Sequence, residues 1–221
     1  MSTIPDNLIV RELGLQDYEP IWQAMQDFTA KRDETTADEL WCLEHPAVFT
    51  MGLNGKKKHL LNIKNIPVIN IDRGGQVTYH GPGQLVIYTL IDLERLKIGV
   101  KDLVTIIEQS IIQLLKQYGI NAEGKENAPG VYVNGAKIAA LGLRIKRNKS
   151  YHGLSLNIDM DLTPFQQINP CGYADLAVTQ LKDLNPELYL SNVKTDLISH
   201  LSQHLGYNTV STTSELNYQE K

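Results

Sequence analysis

The chain has 221 residues, 42% hydrophobic and 21% charged, which supplies one substantial buried core and excludes wholesale disorder. Twenty-five acidic against 21 basic residues leave a net charge of −4 with no basic half, which argues against nucleic acid as the main partner. Two cysteines far apart, Cys42 and Cys171, form no metal-binding or redox pair, and neither a leader pattern nor a membrane-length apolar run is present, so a cytoplasmic protein without metal or membrane attachment is expected.

Residues 8–13 have the β-branched content of a strand ending at Gly14, after which Asp17 can cap a helix whose buried stripe is Tyr18, Ile21, Trp22, Met25 and Phe28. The polar residues 30–39 read as the last turn of that helix and a loop. Residues 40–43 and 47–51 make two short strands about a corner at His45 and Pro46. Residues 68–71 are a further strand, a glycine-rich stretch runs from Arg73 to Gly83, and residues 85–91 form the strongest strand of the chain. Leu103, Ile106, Ile107, Ile111, Leu114, Leu115 and Tyr118 predict a long helix closed by a left-handed Gly119. Asn134 and Gly135 predict a hairpin between residues 130–133 and 137–141, because both central residues of such a turn need positive φ. Residues 154–158 continue the strand pattern, Pro164 and Pro170 punctuate residues 161–173, and Val193, Leu197, Ile198, Leu201 and Leu205 mark a final helix before a polar tail. With no repeat or linker, this irregular order favours a single α+β domain: a mixed β-sheet with flanking helices.

Two stretches hold candidate chemistry. In the first, residues 73–84, four glycines stand among Arg73, Thr78, Tyr79 and His80. Glycine lets the backbone approach a bound chain and frees N–H groups to face an acyl oxygen or an anion. A purely structural turn is the bland alternative, but it does not require those polar side chains among the glycines. The pattern fits neither a Walker loop nor a dinucleotide fingerprint. The second stretch is Asn169-Pro-Cys-Gly-Tyr173, which sets Cys171 between a rigid proline and a glycine. Cys42, inside an apolar run, reads as an inert core residue, whereas Cys171 reads as a candidate nucleophile. A thiol of ordinary pKa is only a few per cent thiolate at about pH 7, so it needs a cation or base beside it. His80, His152 and Lys137 are the candidates, and spacing does not choose among them. A histidine is the commoner partner, while Lys137, leading into the apolar residues 138–143, suits either the edge of a buried sheet or a surface position after the hairpin turn. The basic cluster Lys56, Lys57, Lys58 and His59 reads as a solvated loop that would also suit an acidic protein partner.

Four motifs resemble the lipoyl(octanoyl) transferases, protein acyltransferases of lipoate biosynthesis: residues 73–84, Gly135-Ala-Lys-Ile-Ala-Ala-Leu-Gly-Leu-Arg144, His152-Gly-Leu-Ser-Leu-Asn157 and Pro170-Cys-Gly172, in the family's order. Ser155 departs from the alanine common in that family, which bears on pocket shape. The resemblance implies a fold like the catalytic domain of biotin and lipoate protein ligases, with the catalytic region at about residues 32–208 of a single domain, 1–221. It implies Cys171 as the acyl-thioester nucleophile and Lys137, in place of a histidine, as the group that lowers its pKa and can act as base. It implies an acyl-binding wall of Arg73, Gly74, Gly75, Gln76, Val77, Thr78, Tyr79 and His80 with Ala140, Leu141, Gly142, Gly153, Leu154 and Ser155. The implied donor is octanoyl-acyl carrier protein, its acyl group held on phosphopantetheine, with no cofactor on the enzyme. The implied acceptors are lipoyl domains of 2-oxoacid dehydrogenases and the glycine cleavage H protein, and the implied state is a monomer. Two alternatives stand beside it. An ATP-dependent lipoate or biotin protein ligase on the same fold would not need Cys171, and a non-catalytic binder of carrier protein or lipoyl domains would need neither Cys171 nor Lys137.

Overall fold

In the computed structural model, which describes residues 7–126, 128–170 and 176–216, the chain builds an eight-stranded and a three-stranded sheet. The larger begins with β1 (Asn7–Leu15), which crosses through α1 (Tyr18–Lys31) to the parallel strand β2 (Asp38–Glu44). The smaller is formed by β3 (Val48–Met51), the parallel β4 (Val68–Asn70) and the antiparallel β5 (Val77–His80). The chain then returns to the large sheet as β6 (Gln84–Leu90), antiparallel to β2. After α2 (Leu93–Leu96) and α3 (Val100–Gln117) come β7 (Glu123–Gly124), β8 (Gly130–Val133), β9 (Ala136–Lys146) and β10 (Lys149–Asn157). α4 (Leu181–Leu184), α5 (Leu190–Leu205) and the edge strand β11 (Thr209–Thr213) close the fold. The order across the large sheet is β11-β1-β2-β6-β10-β9-β8-β7, with parallel and antiparallel neighbours, an α+β architecture on a mixed sheet.

Period-two alternation sends the central strands into two cores. Leu40, Cys42, Leu85 and Ile87 pack beneath α3 and α5, while Trp41, Leu43, Val86 and Tyr88 pack beneath α1. Covered on both faces, β2 and β6 are buried almost throughout, which is why residues 85–91 read as a continuous apolar run. The α1 stripe buries Tyr18, Ile21 and Met25, with Trp22 and Phe28 partly buried beside it. Asp17 stands at the N-cap position, but its side chain makes no capping hydrogen bond. The Asn134-Gly135 turn has φ of 49° and 83°, as a tight hairpin requires.

Three features differ from the sequence expectation. The glycine-rich stretch contains a strand, β5, whose short alternation is masked by flanking glycines. β9 and β10 run on into a second hairpin, turned by Arg147 and Asn148 at φ 51° and 57°. The polar tail forms β11, which pairs with the edge of β1 through its backbone and leaves its side chains largely exposed, so no apolar periodicity announces it. Among the described residues no helix is long and apolar enough to cross a membrane.

Candidate active site

Between β5 and the β9–β10 hairpin lies a cavity of about 310 Å³, at the small end of the range for ligand pockets. One wall is a ladder of four cross-strand pairs: Ala140 opposite Ser155, Leu141 opposite Leu154, Gly142 opposite Gly153, and Leu143 opposite His152. The cavity follows β9 from Lys137 to Leu143, roughly 20 Å at ~3.3 Å per residue. Two glycines in the ladder are needed for different reasons. A Cβ on Gly142 would meet Cδ of Arg73 at 2.8 Å, so its missing side chain admits the arginine stem. A Cβ on Gly153 would strike the Ile87 carbonyl oxygen at 2.1 Å, so glycine there lets β10 lie against β6. The glycine-rich loop is fastened to the same wall by the Gly74 N–H, which donates to the Leu143 carbonyl at 3.0 Å.

Of the acyl-wall residues expected from the sequence, Arg73, Gly74, Gly75, Gln76, Val77, Thr78, His80, Ala140, Leu141, Gly142, Gly153, Leu154 and Ser155 line this cavity. Tyr79 does not. On β5 it alternates away from Thr78 and His80, and its ring packs 5.5 Å from Phe49 and 5.4 Å from Phe165 in a separate apolar cluster. Lys137 lines the cavity and is 4% exposed, which excludes the surface-lysine alternative. Its Nζ donates to the Pro129 carbonyl at 3.1 Å and lies 5.1 Å from the Tyr132 ring centroid.

Cys171 lies outside the described residues, but both flanks of residues 171–175 are held near Lys137. On one side Pro170 lines a small void together with Lys137, and the Asn169 N–H donates to the His59 carbonyl at 2.9 Å. On the other, the Lys137 N–H donates to Ala177 at 2.8 Å and the Thr179 N–H donates back to Lys137 at 3.0 Å. The two histidines considered beside Lys137 are held differently. Burial, reinforced by neighbouring His45, brings the His80 pKa down to about 3. His152 stands at the far end of the ladder, and burial lowers its pKa as well. Cys42 sits in the core, where burial pushes its thiol up to about 12, in keeping with an inert residue.

A directional chain of hydrogen bonds links the motifs. Arg73 is a donor only, and its Nη2 donates to the carbonyl and the hydroxyl oxygen of Thr50 at 2.8 and 2.9 Å. The Thr50 hydroxyl therefore turns its proton to His80 Nε2 at 3.3 Å, and His80 Nδ1–H donates to Gln84 Oε1 at 2.7 Å. Gln84 Nε2 donates to Asn157 Oδ1 at 2.9 Å, and Asn157 Nδ2 donates to the Thr179 carbonyl at 2.9 Å. Thr179 then returns to Lys137 through the backbone. Gln84 and Asn157 close two of the sequence motifs, yet sequence reasoning assigned them no role. Thr50 carried no signal at all.

A second polar cluster surrounds Asp72. Burial would raise its pKa, but donors from His152 (3.0 Å), Tyr151 and Trp22 (2.8 Å) outweigh it and hold the carboxyl well below the usual range. His45 donates from Nδ1 to the Gln16 carbonyl at 2.7 Å and accepts from the Tyr88 hydroxyl at Nε2, 2.6 Å; burial lowers its pKa to about 4. Burial likewise raises Tyr18 and Tyr88. Among the titratable side chains lining the cavity, Arg73 is therefore cationic at neutral pH, Lys137 is the one amine, and the rings are neutral.

Residues 17–202 match the lipoyl protein ligase A/B catalytic domain family. The chain is 59% identical to an octanoyltransferase of Chromobacterium violaceum over 198 residues, 90% of this chain and 96% of that protein. It is 60% identical to an octanoyltransferase of Shewanella loihica over 200 residues, 90% and 92% of the two chains. Among solved structures, a bi-partite lipoate protein ligase of Thermoplasma acidophilum superposes with a TM-score of 0.72 at 14% identity, covering 95% of this chain and 88% of that one. A biotin protein ligase of Aquifex aeolicus superposes at 0.54 and 12% identity, covering 90% and 68%. At such identities these superpositions establish a shared fold.

Proposed function

We infer, from the premise that this chain belongs to the lipoyl protein ligase A/B catalytic domain family, that it is an octanoyltransferase working through a cysteine thioester. It takes the octanoyl group from acyl carrier protein onto Cys171 and passes it to a lysine ε-amino group of lipoyl domains, those of 2-oxoacid dehydrogenases and the glycine cleavage H protein. It acts as a monomer without a cofactor of its own. The observation that carries this reading is the buried Lys137 amine, set at one end of the cavity where the chain on both sides of residues 171–175 is hydrogen-bonded or packed.

In the first half-reaction the Cys171 thiolate attacks the thioester carbonyl, the carbon–sulfur bond to phosphopantetheine breaks, and the departing thiolate takes a proton. The Lys137 ammonium favours thiolate over thiol, each pKa unit being worth about 1.4 kcal/mol. The two groups titrate as a pair, so the pKa belongs to the pair. Once the sulfur is acylated it bears no charge, and the ammonium, without its counter-ion, gives up a proton more readily. In the second half-reaction the acceptor amine attacks, the bond to Cys171 breaks, and Lys137 accepts the amine's proton. Thioester to amide is downhill, so no nucleotide is needed. The exposed Lys56, Lys57 and Lys58 suit an acidic carrier, because they adjoin His59, whose carbonyl holds Asn169 near the site.

Intact mass spectrometry after incubation with octanoyl-carrier protein tests the reading. A stoichiometric octanoyl adduct, removed by hydroxylamine and missing from Cys171→Ala, is expected. Transfer supported by ATP and free octanoate, but not by octanoyl-carrier protein, would overturn it in favour of a ligase.

A further inference from the structure

We propose that the hydroxyls of Thr78 and Ser155 form the oxyanion site of the transfer, receiving the acyl carbonyl oxygen as it becomes negative. The proposal rests on the reading of Cys171 as the acyl carrier and adds what stabilises the transition state around it.

Beside the main cavity lies a second void of about 10 Å³, a space on the scale of one oxygen atom or one water. Pro170, the residue that precedes Cys171 in sequence, lines it. Thr78, Lys137, Ala140 and Ser155 line both spaces and so form the neck between them. An acyl chain lying along β9 with its carbonyl at this neck would direct its tail into the large cavity and its oxygen into the small void.

The remaining polar groups of the void each have at least one partner. Gln84 Oε1 accepts from His80, and its amide nitrogen donates to Asn157 and, at 3.3 Å, to the Tyr79 carbonyl. Asn157 gives an amide proton to Thr179, and Lys137 donates to Pro129. The Thr78 and Ser155 hydroxyls make no side-chain hydrogen bond among the described residues. Ser155 is 5% exposed, and its hydroxyl oxygen is not sealed into the core but opens onto the spaces it lines. The two project from different sheets, Thr78 from β5 and Ser155 from β10, so a single oxygen at the neck can be approached from two sides.

The electron balance is simple. As the Cys171 sulfur bonds to the acyl carbon, the carbonyl π pair moves onto oxygen, where the two O–H donors meet it. When the bond to phosphopantetheine breaks, its sulfur leaves with the bonding pair and the carbonyl re-forms. The same oxygen and donors serve the second half-reaction, with the amine attacking and the Cys171 sulfur leaving. Both hydroxyls line the neck, so each carries part of the load.

The test is single-turnover acylation by octanoyl-carrier protein in Thr78→Val, Ser155→Ala, the double variant and Thr78→Ser. Removing one oxyanion donor slows chemistry by ~10²–10³. That loss is expected in kcat for Thr78→Val and for Ser155→Ala with KM little changed, with substantial recovery in Thr78→Ser, which a packing role would not give. Isotope-edited infrared spectra of the carbonyl-¹³C octanoyl enzyme should show the thioester band at higher frequency in Thr78→Val. If Thr78→Val does not fold, Ser155→Ala and Thr78→Ser supply the kinetic and infrared comparison. Wild-type rates in the double variant, or an unmoved band, would overturn the oxyanion assignment alone. Failure of the wild-type protein to form any octanoyl adduct would instead remove the Cys171 reading and this proposal with it.

Discussion

Replacing Asn157 by leucine isolates the hydrogen-bond chain that joins the glycine-rich loop to Lys137. Asn157 is 5% exposed; it accepts from Gln84 Nε2 and donates to the Thr179 carbonyl, both at 2.9 Å. Leucine removes both partners. Gln84 is 1% exposed, so its stranded N–H bears most of the desolvation penalty, ~1–3 kcal/mol for a buried unsatisfied group. Thr179 is only partly buried, and water can replace part of what its carbonyl loses. The sum is about 2–4 kcal/mol, a large share of the ~5–15 kcal/mol that holds a typical domain together. Asn157→Asp keeps an acceptor for Gln84 but turns a carboxylate oxygen toward the Thr179 carbonyl, so its penalty should remain substantial. Urea unfolding at pH 7.5 measures the stability loss. Iodoacetamide modification of Cys171 against pH measures the functional one, because freeing Thr179 loosens the backbone clamp on Lys137 and should move the profile toward alkaline pH. A leucine variant destabilised by less than about 1 kcal/mol, with a wild-type profile, would refute the reasoning.

Lys137→Ala should slow acylation and shift the same alkylation profile to higher pH; an unshifted profile would rule out the amine as the group that activates the sulfur. Gly153→Ala drives a methyl into the Ile87 carbonyl at 2.1 Å and should cost at least ~1–3 kcal/mol of stability, whereas the closest contact of Gly142→Ala is a side chain, Arg73 Cδ at 2.8 Å, which can shift more readily than backbone. The second variant should therefore fold well and lose acyl affinity, and thermal melts beside octanoate binding would expose the reverse order. His45 and His80 titrate near 6.5 when unfolded but have folded pKa values lowered to about 4 and about 3, mainly by burial. Their neutral forms therefore favour folding above pH 6.5, and that stability should drain away as pH falls toward 4, with urea midpoints unchanged from pH 7 to 4.5 as the contrary result. Charge reversal across Lys56, Lys57 and Lys58 should weaken binding of carrier protein and flatten its salt dependence; identical affinity and salt slope would place the dock elsewhere.

What the sequence made legible follows from where regular periodicity meets burial. The α1 and α3 stripes, the doubly covered β6 and the Asn134-Gly135 hairpin each leave a pattern that local physics imposes on residue choice. β5 and β11 do not. In β5 Tyr79 faces a core and Thr78 and His80 face the cavity, with Val77 touching both, but glycines on both sides make the whole read as loop. In β11 the stabilising contacts are backbone ones to a neighbouring edge, which constrain side chains hardly at all. The same alternation explains Tyr79: a contiguous motif suggests a contiguous wall, but a strand presents every second side chain to each face. The histidines were harder still. Their place beside the glycines made them natural partners for a thiol, and only burial, invisible in sequence, shows that His80 and His152 resist protonation.

That resistance bears on why the proposed mechanism uses a lysine. A histidine buried as deeply as His80 is neutral at pH 7 and offers a sulfur no counter-charge, whereas an amine starts from a pKa near 10.4 and can lose several units to burial while staying charged. The neutral rings add no charge along the cavity, and Arg73, the other basic lining group, is turned to the carbonyls of Thr50 and Gly74. In that mechanism the charge that changes during turnover is concentrated on one amine. Its backbone is gripped through residues 177 and 179, so in the proposed mechanism a shift of those residues on acylation would be felt at the amine that accepts a proton in the second half-reaction. The four motifs, scattered through the chain, are in this sense one electrostatic unit: donor-only Arg73 sets the direction of the hydrogen bonds, and the buried polar side chains between it and Lys137 remain neutral.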